Sequence, residues 1–222
     1  MTITFLDLYN ECAGQPWSMY DPDAESKEDL EQALKISINK ALNDIWNLRP
    51  WSFRETDSTI KTKPNKSSYD MPNGIIEKRV INGTTRYGVI YGKKNLEYLP
   101  DYDYMEEKTG EPEYFYIQGE RLYIYPTPDN VYSIKLKYLL LPPALTEEDE
   151  EAYELNEEED YINIPEKYET LFRNCLISLA MVYAIADDSD ENHSGYMRQY
   201  ENSLKTLMQY CNKKIVDRNI VW

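Results

Sequence analysis

The side chain that most often moves protons near neutral pH occurs once in the 222 residues, as His193. It stands in the polar stretch Asp190-Glu191-Asn192-His193-Ser194-Gly195, which reads as a solvated loop. A nucleophile and base pair needs such a group held against a serine, threonine or cysteine, and nothing in the spacing supplies that partner. Zinc sites draw on several His and Cys at short spacing, which one histidine and three scattered cysteines, Cys12, Cys175 and Cys211, do not provide. The carboxylates of Asp101-Tyr-Asp103-Tyr-Met-Glu106-Glu107 and of Asp187-Asp188-Ser-Asp190-Glu191 suit a hard cation by type. Neither stretch has the glycine at position six and the glutamate at position twelve of a calcium loop. Gly83, Gly88 and Gly92 lack the spacing of a phosphate-binding loop and do not lead into a helical pattern. Paired acids for glycoside cleavage are defined by their separation in space, and acid is so abundant here that no pair stands out. No catalytic, metal or cofactor site is therefore expected, and the chain is not read as an enzyme.

The periodicity predicts helices at both ends and strands between them. Thr4 is placed to cap a short helix with Phe5, Leu8, Tyr9 and Cys12 on one face and Gly14 beyond its end. A longer helix, from about Ala24 to Leu48, carries Leu30, Leu34, Ile38, Leu42, Ile45 and Trp46 at three- and four-residue steps, and Pro50 stops it. From Trp51 to Leu141 the period changes and prolines and glycines recur. Tyr132 to Leu140 alternates as a half-buried strand; Tyr114 to Ile117 and Arg121 to Tyr125 flank the turn Gln118-Gly119-Glu120; Ile75 to Ile81 and Thr85 to Tyr91 supply two more strands. Beyond Pro165 a broad stripe from Tyr168 to Ala186 predicts a central helix, and Tyr196 to Cys211 another. The fold class is α+β: terminal helices form a bundle, and the middle forms a small antiparallel sheet with hairpins. Residues 1–50 and 161–212 make the bundle, 51–145 the β region, 146–160 an acidic insertion and 213–222 a C-terminal arm.

The formal net charge is −16, which disfavours generic binding to nucleic acid. Ten of the negative charges crowd between residues 146 and 160: Glu147, Glu148, Asp149, Glu150, Glu151, Glu154, Glu157, Glu158, Glu159 and Asp160. Between Lys61 and Lys94 the balance reverses. Lys61, Lys63, Lys66, Lys78, Arg79, Arg86, Lys93 and Lys94 face only Asp70 and Glu77. This basic segment, interleaved with tyrosines, is the one stretch able to follow a nucleic-acid backbone, or else a surface complementary to the acidic stretch of a neighbouring copy. The odd cysteine count without a CxxC pair argues against a disulfide framework and for a reducing compartment. Asp7 and Glu11 stand where an export signal would be apolar, and the longest apolar run, Leu176 to Ala186, is too short to cross a bilayer. The 21 tyrosines suit both core and subunit interfaces, and Ile220-Val221-Trp222 at the extremity reads as a docking arm or as packing on its own domain.

Several motifs together resemble one family. They are Ala41-Leu42-Asn43-Asp44-Ile45-Trp46 closing the long helix; Pro50-Trp51-Ser52-Phe53-Arg54-Glu55 opening a strand; and Glu111-Pro112-Glu113-Tyr114. Gly119-Glu120-Arg121-Leu122-Tyr123-Ile124-Tyr125-Pro126-Thr127-Pro128, then Lys137-Tyr138 and Ile164-Pro165, complete the set. This order resembles the head-to-tail adaptors of short-tailed bacteriophages, also called tail tubular protein A. The resemblance implies a structural virion protein assembled in the host cytoplasm, without cofactor or membrane. It implies a ring, commonly of twelve copies, between the portal and the next tail component, a hub or nozzle, with DNA passing through unbound. Carried over by position, the portal-docking arm is Ile215, Val216, Ile220, Val221 and Trp222. The tail-facing loops run from Lys93 to Gly110 and include Lys93, Lys94, Tyr98, Tyr102 and Tyr104. The acidic segment has no counterpart in the family pattern. The alternative function is a nucleic-acid-binding accessory protein that uses residues 61–94.

Overall fold

A computed structural model describes residues 3–15, 27–81, 83–100, 106–185 and 191–212. Among them two compact units separate: Arg54–Leu141 forms one, and the flanking segments up to Phe53 and from Pro142 onward form the other.

The first unit is all β. Its strands are β1 (Glu55–Lys61), β2 (Ser68–Asp70), β3 (Gly74–Ile76), β4 (Lys78–Ile81), β5 (Thr84–Tyr87), β6 (Val89–Tyr91), β7 (Lys94–Asn95), β8 (Glu97–Tyr98), β9 (Thr109–Gly110), β10 (Tyr114–Gln118), β11 (Arg121–Tyr125), β12 (Thr127–Pro128) and β13 (Ser133–Leu140). Strand β13 organises one sheet. It pairs with the whole length of β1, from Glu55 opposite Leu139 to Lys61 opposite Ser133. Its other edge takes two short strands end to end, β6 against Ile134–Leu136 and β3 against Tyr138–Leu140.

Sequence periodicity predicts 75–81 and 85–91 as single strands, but each is broken, at Glu77 and at Gly88. The break follows from the shared edge. Lys137 of β13 donates its N–H to the Gly88 carbonyl at 2.7 Å and accepts the Glu77 N–H at 2.9 Å, so the two incoming chains part there. Having left β13, they pair with each other as the hairpin β4–β5, from Lys78 opposite Tyr87 to Ile81 opposite Thr84.

The second sheet has the order β2-β11-β10-β8, with β10 and β11 joined by the hairpin turn at Gln118-Gly119-Glu120. The pairings are antiparallel except for two short ones, β8 with β10 and β9 with β12. Both sheets supply one core: Tyr69, Ile76, Val89, Leu96, Phe115, Leu122, Ile124, Ile134 and Leu136. Alternation on β13 turns Ile134 and Leu136 inward and Ser133 and Lys135 outward, the pattern expected of a half-buried strand.

The other unit is mainly helical, with α1 (Phe5–Ala13), α2 (Lys27–Asn47), α3 (Glu166–Ala184) and α4 (Glu191–Asn212), and the short strands β14 (Ala144–Leu145), β15 (Glu151–Ala152) and β16 (Tyr161–Ile162). Thr4 caps α1 through a reciprocal box, its hydroxyl accepting the Asp7 N–H and its own N–H reaching the Asp7 carboxylate. Helix α3 is buried on nearly every side, as its broad apolar stripe requires. Phe53 stacks on Trp51 at 5.4 Å and meets Phe172 edge-on at 5.6 Å, with Trp46 and Tyr168 alongside. Residues 50–55, expected to open a strand, therefore do so only at Glu55. Trp51 and Phe53 are committed to the helical core, and Ser52–Arg54 is a 3₁₀ turn. His193, expected in a loop, lies in the first turn of α4 instead; the tyrosine and leucine stripe that follows carries the helix back across it. No helix among the described residues is long and apolar enough to cross a membrane.

Candidate functional site

Two surfaces of opposite charge stand out, one in each unit. The acidic segment carries no strand periodicity, yet it is folded. Ala144 and Leu145 pair on one side with β15 and on the other with β16. Between β14 and β15 the chain makes a tight turn pinned by a single residue. The Thr146 hydroxyl accepts the Glu150 N–H at 3.2 Å, its carbonyl accepts the Asp149 N–H at 3.0 Å, and its N–H donates to the Glu150 carbonyl at 2.9 Å. Asp149 sits in the left-handed region at φ 63°, where a short polar side chain is tolerated. Its carboxylate accepts the Tyr161 hydroxyl, and that bond, with some burial, raises the phenol's pKa.

Further along, Leu155 is 1% exposed and its backbone is held by helix α2. The Asn39 amide donates to the Leu155 carbonyl at 2.9 Å and accepts the Leu155 N–H at 2.8 Å, doing for one residue what a neighbouring strand would do. Asp160 is buried and accepts the N–H groups of Asn156 and Glu157 at 2.7 and 3.0 Å. The carbonyls of Glu158 and Asp160 accept the N–H groups of Leu6 and Phe5 at the start of α1. Three anchors thus hold Glu147, Glu148, Glu150, Glu151, Glu154, Glu157, Glu158 and Glu159 exposed on an ordered backbone. Asn39→Ala is expected to cost about 2 kcal/mol, because a buried N–H and a buried carbonyl lose their partners together. Urea unfolding measures the loss, and hydrogen exchange at the Leu155 amide should quicken in parallel.

The basic surface lies in the β unit. Arg86 on β5, Lys93 in the β6–β7 turn and Lys94 on β7 line one open groove of about 740 Å³, with Tyr87, Glu97 and Tyr98. Asn95 fixes the two sides of the groove to each other by donating to the Tyr87 carbonyl at 2.6 Å. Tyr87 and Tyr98 both pack on buried Phe115, with ring centroids 5.5 Å away in each case. Arg79 faces Arg86 across the hairpin but pairs with Glu77, whereas Arg86, Lys93 and Lys94 make no ion pair among the described residues. Lys61, Lys63 and Lys66 are not in this groove; they lie at the end of β1 and in the loop to β2. A second, apolar groove of about 410 Å³ is lined by Ile75, Ile76, Tyr87, Phe115, Ile117 and Leu139 with Glu55, Glu77 and Lys78.

The structure therefore brings Lys93, Lys94 and Tyr98 together. Tyr102, Tyr104 and the arm residues Ile215, Val216, Ile220, Val221 and Trp222 lie outside the described residues. Sequence reasoning placed Arg86 in the basic segment but not with Lys93 and Lys94 in the tail-facing loops, and it missed Asn39 and Thr146 as the anchors of the acidic segment. A capping-type threonine four residues before Glu150 was the available signal for the last. Burial holds the Cys12 and Cys175 thiols up at about 12, so both stay protonated at neutral pH. No group of three or more His, Cys, Asp or Glu is placed to hold a metal ion among the described residues.

The two surfaces offer charge and aromatic contact. A family model described as SU10 adaptor protein matches residues 4–219, which includes both units and the acidic segment. No curated protein matches the sequence. With nearly its whole length matched, the chain belongs to the SU10 adaptor protein family, structural adaptors that join components of bacteriophage virions.

Proposed function

We propose that the protein is the head-to-tail connector of its virion, a non-enzymatic ring of about twelve copies between the portal and the next tail component. The observation that carries this reading is the family match across residues 4–219. The charge supports it on independent grounds. A conduit through which DNA must slide should not grip phosphate, and −16 per copy repeated around a ring repels it. In this reading the helical unit forms the ring body and the β unit, with loops 93–110, faces the tail hub or nozzle. The arm at 213–222 reaches the portal, with Trp222 as its anchor.

Capture of the protein by immobilised portal tests the assignment of the arm. A buried aromatic anchor at an interface contributes about 2 kcal/mol or more, so Trp222→Ala should weaken capture roughly thirtyfold. Removal of 213–222 should abolish capture while leaving the fold intact. Capture at wild-type strength without the arm would assign portal docking to another surface.

A further inference from the structure

The basic groove and the acidic turn belong to the same chain, and we infer that they are the two halves of one contact between copies: the Thr146-pinned turn of one copy enters the Arg86–Lys93–Lys94 groove of the next. The inference rests on the ring reading above and deepens it by naming the seam.

Shape and charge both point this way. The groove is concave and, among the described residues, gathers three cations against one carboxylate, that of Glu97, with no ionic partner for the cations. The turn carries Glu147, Glu148 and Glu150 exposed on a backbone already fixed by three hydrogen bonds to Thr146. Neither side has to be ordered on contact, since Asn95 holds the groove as Thr146 holds the turn, and that lowers the entropic cost of association. Crowded unpaired carboxylates repel one another, and an array of cations alongside relieves that repulsion. Two different patches on one chain make a heterologous contact, which repeats from copy to copy and closes into a ring when the rotation allows. Lys93 and Lys94 then lie in the seam, and the surface left for the tail is the remainder of the 93–110 loop. Phosphate is the other ligand such cations recognise. Three of them on a chain of net charge −16 favour a protein carboxylate over a nucleic acid, which would meet the field of the whole molecule.

Two charge-reversal variants of the full chain test this, R86E/K93E/K94E and E147K/E148K/E150K, together with the chain carrying all six changes. Self-association is followed by sedimentation velocity and native mass spectrometry over a concentration series, alone and with portal protein, at low and high salt. All the side chains are exposed, so each variant should unfold at the wild-type temperature. Each triple variant should associate at least about tenfold more weakly, and wild-type association should fall with added salt. Association should return in the six-fold variant and in an equimolar mixture of the two triple variants, because each then offers the other a complementary surface. Variants that associate like the wild type, or a six-fold variant as impaired as its parents, would overturn the seam. So would a groove variant that loses affinity for a fluorescent DNA duplex while self-association holds. An unaltered chain that stays monomeric alone and with portal would instead contradict the ring itself.

Discussion

Trp51→Ala should be the most damaging single substitution in the helical unit, with a loss of about 4 kcal/mol, close to the whole stability of a marginal domain. The indole is fully buried and stacks on Phe53 with planes 11° apart. Its Nε1–H donates to the Ile45 carbonyl at 2.6 Å, near the end of α2, where backbone carbonyls have no partner within the helix. Alanine would leave a cavity against Phe53 and leave that carbonyl with only the longer bond from the Leu48 N–H at 3.4 Å, two costs that add. Because Trp51 belongs to the helical unit and Glu55 opens β1, the damage should fall first on α2 and α3. Far-UV circular dichroism in urea should show an earlier loss of helix. Trp51→Phe should recover most of the packing but not the hydrogen bond, and so lie between the two.

Gly88→Val is expected to cost about 3 kcal/mol in the β unit, from overpacking that the sheet cannot relax. A Cβ at Gly88 would stand 2.4 Å from the Lys137 carbonyl oxygen and 2.9 Å from the Lys137 Cβ. The clash is with the backbone of the strand that organises the sheet, at the point where β3 and β6 meet. Gly83, in the turn of the β4–β5 hairpin, offers the contrast. Nothing lies within 4 Å of a Cβ there, and the cost of Gly83→Ala is only that of placing a side chain at φ 75°, about 1 kcal/mol. Thermal unfolding of the two variants side by side should show a large shift for Gly88→Val and a small one for Gly83→Ala. Equal shifts would mean that the strand hand-over at Lys137 is not rigid.

What could be read in the sequence is what local periodicity and capping encode. Thr4 with Asp7, the stripes of α2 and α3, the alternation of β13 and the turn at Gly119 each carry their own signal within a few residues. The breaks at Glu77 and Gly88 do not, because they arise from competition for one edge of β13, about fifty to sixty residues away. The strands β14 to β16 are two residues long, too short to show a period, and they exist because Leu155 and Asp160 are anchored by Asn39 and by the start of α1. The stretch 50–55 misleads for a related reason: its aromatics are strand-like in type but belong to a helical core. The basic groove was half legible. Lys93 and Lys94 stand out in the sequence, whereas Arg86 joins them only through the pairing of β6 with β7 and the Asn95 hydrogen bond.

Assembly of this chain as a ring on the portal, as proposed above, would show in the mass of the purified protein, alone and mixed with portal protein. Native mass spectrometry or light scattering should find a closed multiple of the 26.3 kDa chain, about twelve copies, either alone or on mixing. A protein that remains a monomer and leaves the portal's mass unchanged would contradict assembly as a ring.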